Sequence, residues 1–95
     1  MKVAYMGLLR NTLGISEEEI ELPPGSRVSD LLSLLEQKHG EDFRYSIFTN
    51  TGQLRPLVKM FIGDRTIDDL QGLETRIDSE GGVYILLLDH SLGGG

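Results

Sequence analysis

Residues 83–88, Val-Tyr-Ile-Leu-Leu-Leu, form the longest apolar run of the chain and decide its fold. A run this dense predicts a buried strand, of the kind found at the centre of a sheet. A short spacer, residues 89–92, follows the run, and Gly93-Gly94-Gly95 follow the spacer. Because glycine has no Cβ, such a tail can pass extended through a slot where side chains would clash. The sequence therefore predicts a central strand that leads directly into a glycine tail.

Two strands joined as a hairpin are predicted at the start of the chain. Residues 2–10 are predicted to form the first strand, and turn-forming residues follow at 11–14. Charged and apolar residues alternate over 19–22, which predicts a second strand. In that strand Ile20 and Leu22 would face inward.

One main helix is predicted to end at His39. Ser29 and Asp30 provide an N-cap and a first-turn acid. The apolar residues after Arg27 recur at helical spacing and form one stripe. This stripe consists of Val28, Leu31, Leu32 and Leu35. Gly40 follows, where a left-handed C-cap is expected.

The second half of the chain predicts shorter elements. Residues 41–56 are less regular and predict only one short element. A strand is predicted at 57–62, followed by a tight turn at 63–65. A short helical turn is predicted within 67–75, and the last strand within 83–89.

This order of elements predicts an α+β fold. The apolar stripe of the helix must pack on a sheet face, and the strand–helix–strand crossover is expected to be right-handed. The simplest closed arrangement places the first and last strands side by side and parallel at the sheet centre. That arrangement is the β-grasp, here a mixed four- to five-stranded sheet packed on one main helix.

Composition limits the functional classes that remain. A chain of 95 residues makes one domain, predicted at 1–90 with a flexible tail at 91–95. The net charge of −6 argues against nucleic-acid binding, and the absence of cysteine excludes thiolate chemistry. No apolar run is long enough to cross a membrane, and the N-terminus lacks a signal-peptide pattern. We therefore expect a cytoplasmic protein.

Charged residues that attract attention have simpler structural interpretations. Asp64, Asp68 and Asp69 lack the spacing of an EF-hand and are predicted to form turns, so no metal site is expected. His39 closes the helix, where a cation suits the helix dipole. The acidic run at 17–19 is predicted to be a solvated loop.

The outward face of the last strand is the better candidate for an interaction surface. If Val83, Ile85 and Leu87 point to the helix, Tyr84, Leu86 and Leu88 point away from it. Phe61 of the preceding strand would join them. An exposed apolar patch on a small protein usually marks an interface. The alternative is that residues 41–56 cover this face.

Four segments in this order resemble the ubiquitin-like sulfur-carrier family, which includes the small subunit of molybdopterin synthase and the thiamin-type carriers. They are Val-Lys-Met-Phe-Ile-Gly-Asp-Arg at 58–65, Gly-Leu-Glu-Thr at 72–75, Asp-Ser-Glu-Gly-Gly-Val-Tyr-Ile-Leu at 78–86 and the terminal pair Gly94-Gly95. The resemblance covers nearly the whole chain and implies the same β-grasp.

The resemblance also implies a chemistry for the tail. An E1-like enzyme would use ATP to adenylate the carboxylate of Gly95, and a sulfur donor would convert it to a thiocarboxylate. Gly94 would form part of the reactive end, while His90 and Leu92 would contact the channel of the activating enzyme that receives the tail. The chain would bind no cofactor itself and would not be an enzyme. Phe61, Tyr84, Leu86 and Leu88 would then be docking residues.

The resemblance leaves alternatives open. The sulfur would pass to an acceptor enzyme, either molybdopterin synthase large subunit-like or cysteine synthase-like, and the free chain would be a monomer. Alternatively, the same activated glycine would be joined to lysines of target proteins, as in a protein modifier. A third alternative is a binding module whose tail is never activated.

Overall fold

The computed structural model describes residues 1–77 and 81–88, which form a five-stranded mixed sheet with helices packed on one face. The strands lie in the order β2-β1-β5-β3-β4. In chain order they are β1 Lys2–Gly7, β2 Glu17–Glu19, β3 Val58–Ile62, β4 Arg65–Thr66 and β5 Val83–Leu87. Three helices complete the fold, α1 Leu8–Leu13, α2 Val28–His39 and α3 Glu41–Ile47, with 3₁₀ turns at Ile67–Asp69 and Gly72–Glu74.

The first and last strands are parallel neighbours at the sheet centre, as predicted. In their register Val3 lies opposite Val83 and Tyr5 opposite Ile85. β5 also pairs antiparallel with β3, so both of its edges are hydrogen-bonded. This position accounts for the apolar run at 83–88, since a central strand is covered on every side except its outer face. The β-grasp prediction is confirmed.

Helix α2 covers the inner face of the sheet and encloses most of the core. It begins at Val28, and the carboxylate of Asp30 accepts a hydrogen bond from the backbone N–H of Arg27 at 2.8 Å. The predicted apolar stripe of this helix is buried, with each side chain contributing about 1.5–3 kcal/mol. The fully buried side chains of the core are Val3, Tyr5, Leu9, Val28, Leu31, Leu32, Leu35, Phe43, Ile47, Met60, Val83 and Ile85.

The predicted first strand over 2–10, with a turn at 11–14, was wrong because a helix replaces its end. Gly7 stops β1 with φ 66° and ψ −141°, a conformation that favours glycine. A Cβ at Gly7 would lie 2.3 Å from the carbonyl oxygen of Leu87, so the close approach of β5 also requires glycine there. The chain then forms α1, which buries Leu9 in the core.

The second strand is also displaced from its predicted position at 19–22. β2 consists of Glu17–Glu19, and its register is supported by an ion pair between Lys2 Nζ and Glu17 Oε2 at 2.7 Å. Ile20 is buried after the strand and Leu22 only partly, so both are inward contacts without being strand residues. The interpretation of residues 17–19 as a solvated loop was therefore wrong.

Helix α3 follows α2 directly, within the segment predicted to be less regular. Gly40 has the positive φ expected of a C-cap, 77°, but its ψ of −151° is extended rather than left-handed helical. This conformation redirects the chain immediately into α3, which buries Phe43 and Ile47. None of the helices within residues 1–77 and 81–88 has the length and apolar character needed to cross a membrane.

Candidate functional site

The outer face of the sheet, opposite α2, carries a row of apolar side chains. Tyr84 lies opposite Phe61 across β5 and β3, and Leu86 lies one step further along β5. Residues that lie opposite each other in a ladder point to the same face, so these three side chains share the outer face. Their neighbours Val83 and Ile85 are buried on the inner face. The alternation therefore runs in the direction inferred from the sequence, while a docking role for these residues stays a prediction.

β1 extends this surface with two residues that the sequence analysis did not single out. Ala4 lies opposite Tyr84, and Met6 lies opposite Leu86. Met6 exposes 43% of its surface. We call the surface formed by Ala4, Met6, Phe61, Tyr84 and Leu86 the outer patch. The alternation of inward and outward side chains along β1 would have identified Ala4 and Met6 as outer-face residues from the sequence.

Residues 41–56 do not cover the outer patch. Within this segment α3 packs against α1 and α2, and its buried side chains Phe43 and Ile47 belong to the core on the inner face. The alternative in which this segment hides the outward apolar face was therefore wrong. The partly exposed side chains of the outer patch form a surface of the kind that marks an interface.

A second apolar surface lies where β5 ends. The backbone N–H of Leu88 donates to the carbonyl of Leu57 at 2.9 Å, which holds the strand end beside the segment before β3. Leu88 lines a groove of about 400 Å³ that we call the exit groove. Its lining residues are Leu8, Tyr45, Ser46, Arg55, Pro56, Leu57, Leu87 and Leu88.

The exit groove adjoins the outer patch. Met6 lies opposite Leu86 and Gly7 opposite Leu87, so Leu8 and Leu88 each follow a strand that carries a patch residue. Leu88, predicted to lie in line with Tyr84 and Leu86, instead lines a groove whose other walls come from α1, α3 and the segment before β3. Sequence analysis missed this groove because its walls are far apart along the chain.

The tail residues to which the sequence assigns the chemistry lie outside the described residues. These are Gly94 and Gly95, together with His90 and Leu92. The boundary predicted between a domain at 1–90 and a tail at 91–95 lies there too. Leu88 is the last residue of the C-terminal part that the structure describes, so the tail continues covalently from a residue that lines the exit groove.

A polar cluster joins β2 to the C-terminal end of α2. One carboxylate oxygen of Glu18, Oε2, accepts a hydrogen bond from the Tyr5 hydroxyl at 2.5 Å and lies 2.6 Å from His39 Nε2. The other oxygen, Oε1, pairs with Lys38 Nζ at 2.5 Å. The His39 ring also packs edge-on against Tyr5, with ring centroids 6.0 Å apart. We call these four residues the Glu18 cluster.

Two residues of the Glu18 cluster, Glu18 and Tyr5, have shifted pKa values. Burial raises the pKa of Glu18, but hydrogen bonds from Lys38, Tyr5 and His39 together outweigh it and lower the pKa to about 2. Burial, reinforced by the Glu18 carboxylate, raises the pKa of Tyr5. Glu18 is therefore ionised and Tyr5 protonated near neutral pH. Both oxygens of the carboxylate are occupied, so the cluster is suited to holding β2 in place rather than to moving protons.

The acidic residues after β3 act locally. The backbone N–H of Asp69 donates to the Thr66 hydroxyl at 3.3 Å, which caps the first 3₁₀ turn. Asp68 forms an ion pair with Lys59 at 3.7 Å. Among residues 1–77 and 81–88, no group of three or more His, Cys, Asp or Glu side chains could hold a metal ion.

Comparison with solved structures finds the same fold in other small proteins. The chain is similar to the small archaeal modifier protein 1 of Methanosarcina acetivorans, with 29% identity, a TM-score of 0.71 and coverage of 92% of this chain and 90% of that chain. It is similar to a putative molybdopterin converting factor, subunit 1, of Pyrococcus furiosus, with 26% identity, a TM-score of 0.70 and coverage of 93% and 95%. The small archaeal modifier protein 1 of H. volcanii, 13% identical with a TM-score of 0.79 and coverage of 94% and 97%, shows the fold alone.

The comparison with family models assigns the chain to a protein family. A comparison with curated proteins found no match. The model of the ThiS family matches residues 3–86, a span that contains β2, β3 and β4 entirely and all but one residue each of β1 and β5. The chain therefore belongs to the ThiS family, in agreement with its resemblance to the ubiquitin-like sulfur carriers.

Proposed function

We propose that this protein is a sulfur carrier whose reactive group is the C-terminal carboxylate of Gly95. An E1-like enzyme joins this carboxylate to the AMP part of ATP and releases pyrophosphate. A sulfur donor then displaces AMP, which leaves a thiocarboxylate on Gly95. The observation that carries the proposal is the match of the ThiS model to residues 3–86, combined with the Gly94-Gly95 ending beyond it.

In this proposal the chain supplies a reactive terminus and docking surfaces but no catalytic machinery. The charge arrangement of the described residues supports this division. Both oxygens of Glu18 are occupied by Tyr5, His39 and Lys38, so this carboxylate is not free to act as a base. ATP would bind the activating enzyme, and this chain would hold no cofactor. The protein would act in the cytoplasm as a monomer when it is free.

The outer patch supports a carrier that docks on two enzymes in turn. Phe61, Tyr84 and Leu86 lie together on one sheet face, and aromatic side chains at the centre of an interface often contribute 2 kcal/mol or more. The activating enzyme and the sulfur acceptor would use this face one after the other. His90 and Leu92 would contact the channel that receives the tail.

We propose that the acceptor is an enzyme of cofactor or cysteine biosynthesis, either molybdopterin synthase large subunit-like or cysteine synthase-like. The 26% identity to a protein described as a putative molybdopterin converting factor subunit favours the first. The test is the intact mass of the protein isolated from its own cell. A thiocarboxylate gives a mass higher by the difference between sulfur and oxygen. A mass that shows only the free carboxylate under conditions of sulfur-cofactor synthesis would contradict the proposal.

A protein modifier is the second candidate function. The 29% identity to a small archaeal modifier protein favours it. In this case the adenylated Gly95 would be transferred to a lysine amine and form an isopeptide bond, with release of AMP. The same mass measurement separates the two functions, since conjugation adds the mass of a whole target protein.

A further inference from the structure

Exposed apolar side chains concentrate at the end of the molecule from which the tail continues. Within the described residues, the large apolar side chains with substantial exposure are Met6, Leu8, Ile15, Tyr45 and Leu88. Leu8, Tyr45 and Leu88 all line the exit groove. Tyr45 exposes 58% of its surface, although it is an aromatic residue on a helix that buries Phe43 and Ile47 in the core. Such a grouping on a small protein indicates a contact surface.

Hydrogen bonds to backbone carbonyls hold the walls of the exit groove in position. The Nε–H of Arg55 donates to the carbonyl of Tyr45 at 2.7 Å, and its backbone N–H donates to the carbonyl of Ile47 at 2.9 Å. The backbone N–H of Leu88 donates to the carbonyl of Leu57 and holds the end of β5 in place. A groove with walls fixed before binding loses little conformational entropy when a partner enters it.

The charge of the exit groove differs from that of the whole chain. Among the residues that the structure describes, Arg55 is the one charged residue that lines the groove, and no carboxylate does. The chain as a whole has 15 acidic and nine basic residues. An apolar groove that carries one guanidinium matches an apolar side chain flanked by a carboxylate, because a guanidinium pairs well with that group.

The length of the tail limits which protein can occupy the groove. Residues 89–95 lie between Leu88 and the terminal carboxylate. Even fully extended, seven residues reach about 25 Å. An enzyme that takes Gly95 into its active site must therefore sit over this end of the molecule. Both the carrier and the modifier function require adenylation first, so the activating enzyme is the partner common to both.

We propose that the exit groove is a second docking site for the activating enzyme, which inserts into it an apolar side chain flanked by a carboxylate. This inference rests on the proposed function, since it takes Gly95 as the group that is activated. The outer patch supplies apolar contact area on the sheet face. The exit groove adds a charged, concave contact that orients the carrier with its tail toward the active site.

The test compares Tyr45→Ala and Arg55→Glu with controls outside the groove. Ile15→Ala removes an exposed apolar side chain elsewhere, and Arg76→Glu makes the same charge reversal at an exposed arginine outside the groove. Each variant is titrated calorimetrically against the E1-like enzyme of the source organism, and its KM is measured in ATP–pyrophosphate exchange. Circular dichroism checks the fold. Tyr45→Ala removes a mostly exposed side chain, so it keeps the test valid if Arg55→Glu disturbs the groove wall.

We expect both groove variants to weaken binding at least about tenfold, with a matching rise in KM and unchanged kcat, whereas both controls behave as the wild type. Wild-type affinity in Tyr45→Ala and Arg55→Glu, with exchange intact, would overturn the groove inference alone. A wild-type chain that supports no exchange would overturn the proposed function together with it. Unchanged enzyme binding but altered self-association in ultracentrifugation would show that the groove binds a second copy, which also contradicts the proposal.

Discussion

The Glu18 cluster and the exit groove use their side chains in opposite ways. In the cluster, the carboxylate of Glu18 is satisfied within the chain by partners from β1 and α2. In the groove, Leu8, Tyr45 and Leu88 expose apolar surface that the described residues leave uncovered. Groups satisfied internally stabilise a fold, whereas surface left without a counterpart is available to a partner. In this comparison the Glu18 carboxylate contributes to stability, whereas the exposed apolar residues and Arg55 of the groove are available to a partner.

From this comparison we expect the largest loss of stability when the carboxylate charge of Glu18 is removed. Glu18→Gln keeps the shape of the side chain but removes the charge that pairs with Lys38 and His39. We expect unfolding to become easier by about 1.5–3 kcal/mol, the range for hydrogen bonds to charged groups. Glu17→Gln makes the same change on the exposed neighbour and should stay within about 0.5 kcal/mol of the wild type. Urea unfolding measures both, and equal values would show that the cluster contributes nothing specific.

The same carboxylate predicts a pH dependence of stability. The pKa of Glu18 is lowered from 4.5 to about 2 in the folded chain. Between these values the unfolded chain binds a proton that the folded chain does not, so acid favours unfolding. The contribution of Glu18 is thus fully present above pH 4.5 and is lost as the pH falls toward 2. The stability difference between wild type and Glu18→Gln should shrink across this window, and a constant difference would contradict the assignment.

The outer patch should affect binding rather than folding. Phe61→Ala removes an aromatic side chain, and Leu86→Asp introduces a charge, on a face that points away from the core. We expect each to weaken binding to the activating enzyme at least about tenfold, which corresponds to about 1.4 kcal/mol. Calorimetric titration measures the affinity, with circular dichroism as the folding control. Unchanged affinity in both variants would mean that docking uses another surface, and loss of the fold would mean that these side chains support the core.

We expect the smallest effects on stability when the hydroxyl group of Tyr5 or of Tyr45 is removed. Tyr5→Phe removes the hydroxyl that donates to Glu18, so we expect a loss of about 1 kcal/mol in the free energy of unfolding. Tyr45→Phe makes the same change in the exit groove, where the side chain is mostly exposed, and should cost less than about 0.5 kcal/mol. Urea unfolding of the two variants side by side provides the measurement. A larger loss at Tyr45 would remove the contrast between the two regions.

Periodic apolar patterns predicted the elements that make up most of the sheet and core. The stripe beginning at Val28 predicted α2, and the dense run at 83–88 predicted a central strand beside β1. These predictions succeeded because burial on one helical face or at a sheet centre imposes its period directly on the sequence. The outward direction of Tyr84 and Leu86 followed from the same period.

The elements that were mispredicted depend on contacts between distant residues. β1 ends at Gly7 because the carbonyl of Leu87 approaches it closely, and the apolar residues that follow read equally well as strand or helix. The partners of Glu18 lie at Tyr5 and at the end of α2, so an acidic run looked like a solvated loop. The exit groove likewise combines residues whose proximity only the folded chain shows.

The most direct test of the central claim is ATP–pyrophosphate exchange by the activating enzyme with the Gly95 carboxylate free or blocked as an amide. The intact chain should support exchange, because its terminal carboxylate is the group that attacks ATP. The chain with an amidated Gly95 should support none, while its circular dichroism spectrum and urea unfolding remain those of the wild type. Exchange that persists at the wild-type rate with this carboxylate blocked would show that Gly95 does not carry the reactive group.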